Sequence, residues 1–299
     1  MEPVLALDIG GTKIAAGVVD ESGRLLRHAR QPTPHLVDPD RVWMAAERAI
    51  TDALSGGPVR GVGISSAGPI HLPTGAISPI NIPAWRDFPI VERVAAAVPH
   101  VPVRLGGDGM CMALGEHRFG AGRGSSFLLG MVVSTGIGGG LVLDGEPYDG
   151  RTGNAGHVGH VVVDPDGARC RCGGRGCVET IASGPSLVAR ALDQGWKARP
   201  GADAKQLAES AARGDGIALA AFTRGGAAVG AMIASVAAVC DLDVVVIGGG
   251  VANTGPLLFD PIRKALGTYA GLDFLDHLRV VPAELGGEAG LIGAAALVL

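Results

Sequence analysis

The sequence is short of charge: 18% of its 299 residues are Asp, Glu, Lys or Arg, against 47% hydrophobic, a balance that excludes a disordered chain. It also lacks a basic surplus. A net charge of −4 and a pI near 6.1 do not provide the positive surface that nucleic acid requires, so no such partner is expected. The glycines show no G-X-Y period, which excludes collagen. No N-terminal secretion signal is visible, because the apolar run Val4–Leu7 stops at Asp8 with no basic segment before it. Nor is there a clean membrane span. The longest apolar stretch, Phe127–Leu143, contains Gly130, Gly136, Gly138, Gly139 and Gly140, with Ser134 and Thr135 at its centre. With only five cysteines and no export signal, disulfides are disfavoured. These absences leave a soluble, cytoplasmic, mixed α/β chain with no membrane partner as the expectation.

What is abundant is glycine, 49 residues of 299, more than about twice ordinary usage. The glycines cluster beside apolar runs, as they do where backbone must turn tightly or approach something closely. The length favours two lobes. Val4–Leu7, Ile14–Val19 and Arg24–Ala29 read as strands. Asp38-Pro39 opens a helix that runs to Leu54 and is stopped by Gly56-Gly57. A strand at Val59–Ser65, a helix at Pro89–Val98, a strand at Val101–Leu105 and a helix at Met110–Phe119 complete a βββαβαβα order. Near Gly120–Ser125 the pattern restarts. Phe127–Val133 is a strand, Ser134–Gly140 a glycine loop, and Leu141–Leu143 and Val158–Val163 further strands. Helices follow at Ala204–Arg213, Ile217–Val239, Pro256–Leu266 and Ala289–Val298, with a β-branched strand at Val244–Ile247. A strand ending in a glycine turn and reversing into a second strand thus occurs twice, an architectural duplication.

Three glycine turns could carry chemistry. Asp8-Ile9-Gly10-Gly11-Thr12-Lys13 could set a carboxylate and its hydrated cation beside amides facing a phosphate, or be a plain hairpin turn. Ser134–Gly140 offers a second amide-lined wall, and Gly248-Gly249-Gly250 ends a buried strand where α/β sheets bind ligands. Tight helix packing is the competing explanation for each. His160, Cys170, Cys172 and Cys177, with nine, one and four residues between them, provide three thiolates and an imidazole, the set for a closed structural zinc site. Asp108, between a strand and a helix in Gly107-Asp108-Gly109, suits either a helix N-cap or a general base.

Together these residues resemble the ROK family of sugar kinases and related repressors, in its bacterial glucokinase-like branch. The resemblance spans almost the whole chain, and its most specific stretch runs from Gly156-His157-Val158-Gly159-His160 through Cys170-Arg171-Cys172 to Cys177-Val178-Glu179. It implies an α/β, two-lobed actin/hexokinase-like ATPase fold with ribonuclease-H-like lobes closing over ATP, Mg2+ and a sugar. The smaller lobe would be residues 1–118 plus the terminal helix 288–299. The larger, 119–287, would carry the zinc loop and a dimer surface, giving a homodimer. By the same resemblance Asp8, Gly10, Gly11, Thr12 and Lys13 form the first phosphate motif and Thr135, Gly136, Gly138 and Gly139 the second. Gly248, Gly249 and Gly250 face adenosine, and Asp108 activates the sugar 6-hydroxyl. Asn81, Gly107, His157, His160 and Glu179 would line the sugar, with Arg86 in the same loop as Asn81. The chain departs from the family where Gly107 replaces the usual Asn and His157 the usual Glu. Loss of one amide and one carboxylate acceptor implies a different sugar, for example an amino sugar such as kanosamine. A sugar-responsive repressor and a non-catalytic sugar-binding protein are the rival readings. Repressors of the family carry an N-terminal helix-turn-helix, whereas the phosphate motif here begins at Asp8.

Overall fold

Runs of aliphatic residues too short for helices, closed by glycine turns, form two sheets of the same design. The computed structural model describes residues 2–35, 37–55 and 57–299. Its first half contains β1 (Val4–Ile9), β2 (Lys13–Val19), β3 (Leu25–Pro32), α1 (Pro39–Leu54), β4 (Val62–Ser66), β5 (Ile70–His71), β6 (Ala76–Ile77), α2 (Ile90–Ala97), β7 (Val103–Gly107) and α3 (Asp108–Phe119). The second half contains β8 (Leu128–Val133), β9 (Ile137–Leu143), β10 (Glu146–Pro147), α4 (Glu179–Ala182), α5 (Gly184–Asp193), α6 (Ala204–Ala212), α7 (Gly216–Cys240), β11 (Val244–Gly248), α8 (Pro256–Tyr269), β12 (Arg279–Pro282) and α9 (Ala289–Ala296).

The first sheet has the order β3-β2-β1-β4-β7 and the second β10-β9-β8-β11-β12. In each, the first three strands form an antiparallel meander, and the last two add parallel to its first strand through helical crossovers. The duplication expected from the two glycine hairpins is therefore present in strand order and direction.

Helix α1 starts as its sequence dictates. Asp38 accepts a hydrogen bond from the Asp40 amide, Pro39 fills the first turn, and Val42, Trp43, Ala46, Ala49, Ile50 and Ala53 cover the first sheet. It ends at Leu54; Gly56 lies outside the described residues. Helix α7 is long and apolar enough to cross a membrane by composition, but Phe222, Val229, Met232 and Ile233 are buried in the core of the second lobe. Two helices exchange sheets. Helix α3 leaves the first sheet and packs on β8 and β9, whereas α9 leaves the second and packs on β1 and β4, and the two cross in contact.

Several expectations are corrected. The glycine loop Ser134–Gly140 narrows to its first three residues, because Ile137–Gly140 already pair with β8 as strand β9. Val158–Val163 is not a strand: Val158–His160 form a single 3-10 turn, and Val162 makes only an isolated bridge to Cys177. The cysteine loop folds back on this segment and takes its hydrogen bonds, overriding its β-branched composition. Helix α4, strand β12 and the β5–β6 hairpin were not anticipated, since each is short. Helix α5 was also missed, although Ser183 caps it, Pro185 lies in its first turn and Leu187, Val188 and Ala191 form a buried face.

Candidate active site

The strand ends of both sheets open on a cleft of about 480 Å³. Asp8 at the end of β1, Asp108 at the start of α3, Gly248–Gly250 after β11, and Gly286, Gly287 and Gly290 before and within α9 all line it. Sequence spacing alone had separated these groups by hundreds of residues; the duplicated topology brings them together.

Asp8 lies level with Ser65 on the neighbouring strand, and its Oδ1 accepts a hydrogen bond from Ser65 Oγ at 2.8 Å. Burial raises its pKa above the ordinary carboxylate value, the Ser65 bond opposes this, the charge of Asp108 adds to it, and Lys13 offsets part. The first turn of α9 presses on the same carboxylate. A Cβ at Gly290 would sit 2.9 Å from its atoms, so a side chain there would force helix and carboxylate apart.

The turn after β1 is pinned from behind. The Gly10 amide donates to the Lys13 carbonyl at 3.0 Å, the Gly10 carbonyl accepts from Thr33 Oγ1 at 2.6 Å, and the Thr33 amide donates to the Thr12 carbonyl at 3.1 Å. Among the described residues the amides of Gly11 and Thr12 have no hydrogen-bond acceptor, leaving two donors for an anion. Asn81 packs its side chain against Gly11, at this loop. Arg86 folds its own loop instead, donating to the carbonyls of Pro79, Ile82 and Trp85.

The second loop is held likewise: the Ser134 amide donates to the Gly136 carbonyl and the Gly184 amide to the Ser134 carbonyl. Glu179 braces it. Its Oε2 accepts from the Ile137 amide at 2.7 Å and stands beside Gly136, at the turn between β8 and β9. Ser134, Thr135 and Gly250 also line a cavity of about 420 Å³ between α5 and α6, with Pro185, Val188 and Ala204 as apolar walls. That cavity was not legible in the sequence, because α5, one of the two helices forming it, was missed, although α6 was expected at Ala204–Arg213.

Asp108 is the first residue of α3, whose N-cap is Gly107, and its Oδ1 accepts from the adjacent Gly109 amide at 2.8 Å. The alternative of a side-chain helix cap is thus not realised. Asp108 lines the large cleft and also a second, smaller pocket formed by Gly68, Ile70, Gly107, Gly138, Gly153, Asn154 and His157. One carboxylate therefore stands where the two cavities meet. Its side chain opens to the cleft but is flanked by protein. Desolvation raises its pKa, and the Gly109 amide and the charge of His157 oppose the rise.

His157 Nδ1 is 2.9 Å from the Asn154 carbonyl. A carbonyl only accepts, so Nδ1 carries the hydrogen and the free Nε2 faces the pocket beside Gly68. Asn154, which sequence reasoning missed, makes both amide bonds to Ile70, donating to its carbonyl at 2.8 Å and accepting from its amide at 3.2 Å. It docks the loop before His157 onto β5. At Gly107 a Cβ would meet nothing closer than 3.9 Å, so the missing side chain leaves free space beside Asp108.

The side chains of His160, Cys170, Cys172 and Cys177 converge, each offering one donor atom and all within 4.8 Å of one another. All three thiols are free. Cys170 Sγ lies 3.7 Å from His160 Nδ1, and Cys172 Sγ lies 3.7 Å from Cys177 Sγ. A tetrahedron with metal–sulfur bonds of about 2.3 Å has edges of roughly 3.8 Å, so the donor set fits zinc in kind and in spacing. The Gly174 amide lowers the Cys172 pKa, whereas burial and the adjoining sulfurs push Cys177 up to about 12. A metal bound here would displace that proton.

A family model, the ROK family, matches residues 4–299. The chain is 34% identical to a glucokinase of Streptomyces coelicolor, over 98% of this chain and 96% of the relative. It is 35% identical to an N-acetylmannosamine kinase of Yersinia pseudotuberculosis, over 97% of this chain and 96% of the relative. Among solved structures, a ROK family glucokinase from Streptomyces griseus in complex with glucose and AMPPNP superposes with a TM-score of 0.82 at 37% identity, covering 99% of this chain and 98% of that one.

The raised pKa of Asp108 has a consequence for stability. Folding disfavours its charged form, so the penalty is absent below the ordinary carboxylate pKa near 4, grows as pH rises, and is complete above the raised folded value. Asp108→Asn is expected to raise the melting temperature at pH 7, with the gain disappearing as pH falls below about 4. Thermal melts across that range check it; a variant less stable at pH 7 contradicts the burial account.

Proposed function

The chain belongs to the ROK family and has its two-lobed actin/hexokinase-like fold, and from that premise we propose that this sugar kinase transfers the γ-phosphoryl group of ATP to the 6-hydroxyl of a hexose or amino hexose. The observation that carries the reading is the place of Asp108, between a glycine-lined cleft of about 480 Å³ suited to polyphosphate and an adjoining pocket of about 40 Å³ in which Asp108, Asn154 and His157 supply polar groups for a sugar hydroxyl.

In this mechanism the small pocket orients the sugar. His157 Nε2 and the walls around Gly68 and Gly153 direct its primary hydroxyl at the Asp108 carboxylate. Asp108 accepts the hydroxyl proton as the oxygen attacks the γ-phosphorus, and the bond from that phosphorus to the β-bridging oxygen breaks. A carboxylate pKa raised by its surroundings makes Asp108 a stronger base than a free aspartate. The Gly11 and Thr12 amides on one wall, and the loop of Thr135 and Gly136 on the other, offer donors where phosphate charge develops, whereas Gly138 is already paired with Val132 in the second sheet. Asp8 fits a magnesium ion: it is a partly buried carboxylate with a serine on one oxygen and a second carboxylate near enough to raise its pKa, a repulsion that a divalent cation relieves. Such an ion would neutralise charge on the phosphates. Zinc would be held by His160, Cys170, Cys172 and Cys177 as a structural ion, fixing the segment that follows His157.

The sugar itself is read from two positions. Gly107 leaves space beside Asp108, and His157 presents an imidazole nitrogen where the family usually has a carboxylate, which favours a hexose altered at ring positions 2 to 4. N-acetylmannosamine and kanosamine are examples. A cytoplasmic homodimer is the expected working form.

Two measurements test this reading. A coupled assay of ATP turnover over a panel of hexoses and amino sugars is expected to show sugar-dependent activity, with kcat reduced by roughly 10²- to 10⁴-fold in Asp108→Ala. Substantial retained turnover removes Asp108 from the role of base, and glucose ranking first by a wide margin in kcat/KM refutes the altered-sugar reading. Metal analysis of the purified chain is expected to find about one zinc per chain, lost in Cys177→Ser together with a lower melting temperature. Metal-free protein with an unchanged melting temperature contradicts the zinc assignment.

A further inference from the structure

Glu116 has no cation partner among the described residues, yet its side chain is fully buried. A buried carboxylate is tolerated only when its oxygens are satisfied, and here three main-chain amides do so. Oε2 accepts from the Ala121 amide at 2.9 Å and the Glu284 amide at 3.1 Å, and Oε1 accepts from the Leu285 amide at 2.8 Å. The first donor belongs to the turn that ends α3. The other two belong to the segment entering α9, which runs directly into Gly286, Gly287 and Gly290 of the large cleft. The same helix α3 that carries Glu116 near its end begins with Asp108. One rigid element therefore holds the carboxylate at the cavity junction and, two turns on, the anchor of the opposite cleft wall.

We propose that Glu116 is a positioning residue of the nucleotide cleft, clamping the strap 284–290 to α3 so that its glycines keep a fixed distance from Asp8 and Asp108. The proposal rests on the kinase reading insofar as that cleft receives ATP. No neutral side chain of similar size reproduces the clamp. Glutamine has one acceptor oxygen and would turn its NH2 group on at least one of three N–H donors. The surrounding fold leaves little room for adjustment, since a Cβ at Gly120 would run into the same carboxylate.

The test uses the full chain carrying Glu116→Gln, with two readouts. Hydrogen exchange at the amides of residues 284 and 285 is expected to accelerate by about tenfold or more, with the centre of α3 unaffected. In steady-state kinetics KM for ATP is expected to rise about tenfold while KM for the sugar stays within about twofold. Unchanged exchange at 284 and 285 overturns the proposal, as does an unchanged KM for ATP or an equal rise in both KM values. If Glu116→Gln does not fold, Leu285→Pro serves: Leu285 has φ −78°, close to proline's about −65°, and the change deletes one strap donor while leaving the carboxylate two. The same split in KM, smaller in size, is expected, and a KM for ATP equal to that of the unmodified chain overturns the proposal. Absence of sugar-dependent turnover in the unmodified chain would refute the kinase reading by itself, while the exchange experiment still decides whether the clamp exists.

Discussion

The architecture depends on one close contact, the crossing of α3 and α9. Each helix leaves one sheet and rests on the other, and they meet where side chains are absent: a Cβ at Gly293 would run into the Cys111 carbonyl, and one at Gly115 would lie 3.0 Å from the Gly293 amide. Because the helices pass this closely, the start of α3 delivers Asp108 and the start of α9 meets Asp8 in the same cleft. Larger residues would separate the helices by ångströms, and interiors packed to crystal density do not absorb that locally. The site is thus a product of the crossing more than of either sheet alone.

The electrostatics follow from that geometry. Two carboxylates, Asp8 and Asp108, are held in partial desolvation, each with its pKa raised and with too few donors to offset the cost. Glu116, on the same helix as Asp108, is buried more deeply but fully satisfied by amides. The contrast separates two uses of a buried acid. A satisfied one fixes structure, and an unsatisfied one is left reactive toward a proton or a cation.

Much of this was legible in the sequence, and the reasons are specific. Glycine turns after short aliphatic strands marked both hairpins, and Asp38-Pro39 marked the start of α1, because those signals are local. The ligand types and spacings of His160, Cys170, Cys172 and Cys177 foretold a cluster that the fold assembles. What was not legible depends on tertiary contact. Asn154 and Glu116 act through main-chain groups far away in sequence, so no spacing rule reveals them. The bond from the Ile137 amide to the Glu179 carboxylate likewise joins groups that no local signal in the sequence connects. Val158–Val163 has the composition of a strand but is captured by the cysteine loop.

The central claim is that a single carboxylate joins the two cavities as the acceptor of a proton from the sugar. A crystal structure of the chain with a non-hydrolysable ATP analogue and a turned-over sugar tests it most directly. The account predicts an Asp108 oxygen about 2.6–3.2 Å from the 6-hydroxyl, with the γ-phosphate in line beyond it. A sugar bound elsewhere, or a hydroxyl directed away from Asp108 in the closed complex, would contradict it.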